Sequence, residues 1–261
     1  MTKEISIIEN AMPALDDNKA DHTARIGGLI LGNVPVVGSI LTEVFKSIIP
    51  NQKEERVCIF VEVLAEKLKY TDNDVLNLKM KSEEFTDLLE DAIPQAARAM
   101  NKDRQHYIAA ALKNSLTDEQ LEHIEKKKLL QLLNEVNDAE ILFLRYLHLR
   151  FSQTDQKDRI KFAEQHTYLF DEYDDREKQK TEVDLMTKSA LRRSYLSKLE
   201  EIGLAQISTE GKAIHAPWVT RSYRNEDKIE SVTSGNLRIT PLGSLFLYNI
   251  DLIEKEDITK Y

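Results

Sequence analysis

The stretch Leu185–Ile207, LMTKSALRRSYLSKLEEIGLAQI, decides how the chain is read. Leu191, Tyr195, Leu196, Leu199 and Ile202 recur at helical spacing and predict one apolar stripe. Gly203 is the expected stop, because glycine enters the left-handed conformation that closes helices without a Cβ penalty. Leu204-Ala205-Gln206-Ile207 then predicts a strand. A second stretch, Leu237–Leu247, LRITPLGSLFL, predicts a returning strand that runs into a last helix. There Thr240 is placed to cap and Pro241 to occupy the favoured first helical position. The ordered pair of stretches predicts a winged-helix (α+β) domain. The wing between them is about thirty residues long, against about 2–5 for common hairpin loops, and carries Trp218 and Tyr223 to pack it.

Working back from this module, Asn137 and Glu140 have capping-box spacing and open Ile141–Phe151, a run apolar enough to be buried on most sides. Ser152–Lys180 is polar and predicts a short helix followed by an acidic connection through Asp171-Glu172-Tyr173-Asp174-Asp175. Residues 137–261 are therefore expected to form the winged-helix-like domain.

Upstream, Val57, Phe60, Val61, Leu64 and Leu68 predict an amphipathic helix. Ser82 with Glu83 and Glu84 opens another, carrying Phe85, Leu88, Leu89 and Ile93 until Pro94 interrupts or kinks it. Ala96, Ala97, Ala99, Tyr107, Ile108, Ala110, Ala111 and Leu112 continue the helical pattern. Thr117 with Gln120 suggests a second capping box, opening a helix with Leu121, Ile124, Leu129, Leu132, Leu133 and Val136. Its Glu125-Lys126-Lys127-Lys128 cluster reads as a solvated face, with an anion site as the alternative. The expected class is mostly α: a helical amino-terminal bundle over 26–136, preceded by a polar leader over 1–25.

The bundle opens on Ile26–Leu41, sixteen residues without a charge. A spanning helix needs about 20 apolar residues, and Pro35 divides this run. Gly27, Gly28, Gly32 and Gly38 permit close backbone approach, so a packed helix, turn and helix is the ordinary reading. The alternative is a concealed membrane- or partner-binding segment presenting Leu29, Ile30, Leu31, Val34, Val36, Val37, Ile40 and Leu41 after rearrangement.

With a net charge of −9, the surface as a whole repels nucleic acid, so DNA contact needs a local basic patch. Lys188, Arg192 and Arg193 near the predicted recognition helix, and Arg221, Arg224 and Lys228 in the wing, are the nucleic-acid-binding candidates. Glu200, Glu201, Glu226, Asp227 and Glu230 interrupt them, which weakens phosphate contact. Cys58 is the single cysteine, no signal-peptide pattern opens the chain, and the reading is cytoplasmic.

No catalytic centre is legible. His22, His106, His123, His148, His166 and His215 are scattered without metal-ligand spacing, and Cys58 lies in an amphipathic helix between apolar neighbours. No lysine-serine or lysine-threonine pair follows the amino-terminal glycines, and no G-x-S-x-G elbow is present. No metal, cofactor or small-molecule substrate is expected.

The apolar glycine-rich opening, the alanine-rich middle, LEEIGLAQI at Leu199–Ile207 and LRITPLGSLFLYNI at Leu237–Ile250 together resemble the bacterial Abi-alpha (abortive-infection alpha) group. The resemblance covers Asn137–Ile250 best and the amino-terminal half loosely. It implies a role in phage defence and supplies no catalytic residues. The expectation is a non-enzymatic defence protein acting through a protein partner or a second copy of itself. The alternative is a winged-helix DNA-binding transcription regulator.

Overall fold

A computed structural model describes residues 54–69, 71–72, 76, 78–151, 156–170, 182–208 and 236–258. The leader, the Ile26–Leu41 segment with its eight apolar candidates, and the predicted wing with Arg221, Arg224 and Lys228 lie outside the described residues. Among the described residues the chain is mostly helical: eight α-helices and one two-stranded antiparallel sheet. It divides into two compact units, Met1–Leu130 and Gln131–Tyr261.

In the first unit, α1 (Glu54–Leu68), α2 (Glu83–Arg98) and α3 (Lys102–Thr117) pack pairwise on one another. The stripe read from the sequence forms the core of α1: Val57, Phe60, Val61, Leu64 and Leu68 are all buried. Two long polar side chains fasten the three helices. Arg56 Nη1 donates to the carbonyl of Ala97 on α2 at 3.4 Å, and the buried Gln105 of α3 donates to the carbonyl of Arg56 at 3.1 Å.

Ser82 caps α2 as expected, its hydroxyl accepting the Phe85 amide at 3.2 Å. Pro94 does not end the helix, which continues to Arg98. Proline deprives the carbonyl four residues back of its donor; that residue, Glu90, is exposed, where water can supply the missing bond.

Two boundaries differ from the expectation. The alanine-rich pattern is broken at Ala99, whose extended backbone ends α2, and Asn101 starts α3 by accepting the Arg104 amide at 2.7 Å. Thr117 does not open a helix; it is the last residue of α3, and its hydroxyl donates back to the Lys113 carbonyl at 3.2 Å. The turn after it is made by Asp118, whose carboxylate accepts the Gln120 amide at 2.9 Å. α4 (His123–Glu135) begins later, where Glu125 reaches back to the Glu122 amide at 2.9 Å. Starting there leaves Ile124 exposed, so it does not belong to the buried stripe, whereas Leu129, Leu132, Leu133 and Val136 do.

In the second unit, α5 (Asp138–Phe151) is central and α6 (Gln156–Gln165), α7 (Glu182–Glu201), β2 (Asn236–Ile239) and α8 (Pro241–Asn249) all pack on it. The Asn137 capping box forms in both directions: Asn137 N–H donates to Glu140 Oε2 at 2.7 Å, and Glu140 N–H donates to Asn137 Oδ1 at 2.9 Å. An aromatic cluster holds the middle of the unit. Phe170 stacks on Tyr146 at 4.6 Å and meets Phe143 edge-on at 5.1 Å, while Tyr195 of α7 reaches Phe143 at 5.9 Å.

α7 closes at Gly203, φ +77, where Leu204 N–H returns to Leu199 at 2.9 Å and Gly203 N–H to Glu200 at 3.0 Å. β1 (Ala205–Ser208) follows at once and pairs with β2 (Asn236–Ile239) in the register Ala205 to Ile239, Ile207 to Leu237. Thr240 then caps α8 (Pro241–Asn249), accepting the Gly243 amide at 3.0 Å and donating to the Gly203 carbonyl at 2.7 Å. The cap of α8 is thereby tied to the glycine that ends α7.

Candidate interaction surface

α7 carries the sequence-predicted candidates that fall on described residues. Its inward side is set by Leu199, fully buried, and Tyr195, half-buried against Phe143. At about 100° per residue, Lys188 and Arg192 lie on that same side as Leu199, and both are partly buried and already interact with neighbouring groups. Arg193 lies on the opposite, outward side and is exposed. The helix therefore divides the three cations instead of presenting them as one strip.

The outward side of α7 consists of Met186, Ser189, Ala190, Arg193, Ser194 and Ser197, all exposed. Leu191, expected in the buried stripe, sits at its edge with 49% exposure, because the inward arc is narrow and centred on Leu199. Met186 is 55% exposed and Ile207, on the strand that leaves the helix, 48%. Exposed Tyr168 belongs to the same neighbourhood: desolvation raises its hydroxyl above the ordinary tyrosine range, aided by Asp138 and then by Tyr195 of α7. From Leu185 to Leu199 the helix holds no carboxylate and four basic residues; its acids, Glu182, Asp184, Glu200 and Glu201, stand at the two ends. Glu201 approaches Lys198 at 3.8 Å.

The lysine cluster of α4 resolves into a surface ion network. Asp87 of α2 accepts from Lys127 Nζ at 2.6 and 2.7 Å and is met by His123 Nε2 at 2.9 Å; Asp91 lies 3.5 Å from the same lysine. The Lys127 bond holds the Asp87 carboxyl below the ordinary aspartate range, against a smaller opposing effect of desolvation and with further help from His123. A carboxyl that keeps its charge to lower pH when folded than when unfolded stabilises the fold above the ordinary range and loses that contribution as pH falls through it. Asp87→Asn is expected to lower the neutral-pH Tm by about 1–3 °C, the scale of a half-exposed pair. In thermal melts the difference from the parent chain should shrink as pH falls below the ordinary aspartate range and vanish once the folded carboxyl is protonated; a difference that does not shrink on acidification would contradict the assignment.

Two surface grooves among the described residues also gather charged side chains. In the first unit a groove of about 480 Å³ brings together Lys67, Lys79, Lys113, Asp72 and Glu119, with Lys79 and Glu119 paired at 3.0 Å. In the second, a groove of about 450 Å³ places Arg145, His148, Asp158, Lys161 and Asp257 around Leu149 and Phe162. Both mix charges of opposite sign, and neither lining pairs a serine or cysteine with a histidine. Cys58 is buried in α1, and no metal-holding group of histidine, cysteine or carboxylate side chains is found among the described residues. No described helix is long and apolar enough to cross a membrane. Compared with known proteins, the chain matches no family model, no curated protein and no solved structure.

Proposed function

We propose that the protein works by binding and not by catalysis, as a defence-associated protein that engages a protein partner through the helix–hairpin–helix of its second unit. The carrying observation is α7: over Met186–Lys198 none of its residues is buried, although its last turn is anchored by Leu199. Helices in globular proteins gain most of their stability from packing an apolar face, so a long helix with Met186 and Leu191 exposed has contact area to spare for a partner. The order α7, β1, β2, α8 supports reading the module as winged-helix-like, a fold that serves protein contacts as well as DNA. The resemblance to the Abi-alpha group supplies the defence role. Expression in a phage-sensitive bacterium is expected to lower plating of at least one phage in a broad panel by tenfold or more, and Met186→Asp with Leu191→Asp should abolish the protection. Plating unchanged across the panel would remove the defence reading.

A second reading, a DNA-binding regulator, is favoured by the acid-free stretch Leu185–Leu199. The partly inward position of Lys188 and Arg192 counts against it, since phosphate contacts dominate affinity for DNA. Gel shifts with Arg192→Glu and Arg193→Glu decide: loss of a shift in both variants supports DNA binding, and the absence of any shift by the parent chain excludes it.

A further inference from the structure

We draw no further inference here: the strongest candidate, the apolar rim of α7 formed by Leu191 and Tyr195 beside exposed Tyr168, is an unpartnered surface patch, and nothing in the structure shows what covers it.

Discussion

Gly243→Ala is expected to destabilise the second unit by roughly 3–5 kcal/mol, combining an overpacked contact with a disturbed ladder bond. A Cβ at this position would stand 2.2 Å from the Leu204 carbonyl oxygen and 2.8 Å from Ile239 Cγ1. The isoleucine can turn aside, but the carbonyl belongs to the backbone and already accepts the Thr240 amide at 3.1 Å. Relief therefore requires moving α8 away from the end of α7, which stretches the Thr240 hydroxyl bonds to Gly203 and Gly243 as well. Differential scanning calorimetry should show a Tm lower by about 10 °C. Gly203→Ala is the matching control. Its φ of +77 strains any side chain, but its nearest neighbour, Leu242 Cδ2, is 4.0 Å away, so only the conformational cost of about 1 kcal/mol applies. Equal effects at the two glycines would show that close packing at Gly243 is not what the residue supplies.

Phe170→Ala is the second large effect, at about 3–5 kcal/mol. Phe170 is 1% exposed and is the ring on which the cluster converges, with Tyr146 at 4.6 Å, Phe143 at 5.1 Å and Phe162 at 6.2 Å. Truncation removes its buried area and the ring–ring geometry together, and the three aromatic walls cannot collapse into the void. Because Phe143 also carries the contact to Tyr195, a loosened Phe143 should free the middle of α7. Urea unfolding followed by circular dichroism should give a lower midpoint with an unchanged slope, and Phe170→Leu should recover roughly half of the loss. A change below about 1 kcal/mol for Phe170→Ala would mean that the cluster does not organise this unit.

The interaction surface illustrates how far residue order reaches. The basic composition of Leu185–Leu199 is visible in the letters, and so are the cations themselves. Their division is not, because the stripe Leu191, Tyr195, Leu196, Leu199 and Ile202 spans a wide arc and does not say where its centre faces. Contact with Phe143 sets the rotation of α7: Tyr195 goes inward, Leu191 is carried to the rim, and Lys188 parts from Arg193. The Asp87 network is equally hidden, since Lys127 is forty positions away from its partner.

What the amino-acid order determined by itself is local. The Asn137 box, the Ser82 and Thr240 caps and the Gly203 stop are closed by hydrogen bonds between residues at most five apart, and each formed as the residues required. Where a nearby competitor existed, as with Asp118 after Thr117, the shorter Asx turn took the boundary. Only the tertiary structure decided why position 243 must be glycine, which ring anchors the second unit and which side of α7 meets solvent. Those are questions of contact between segments far apart in the chain. Periodicity shows that a face is apolar, while its direction and its neighbour depend on the packing of the whole unit.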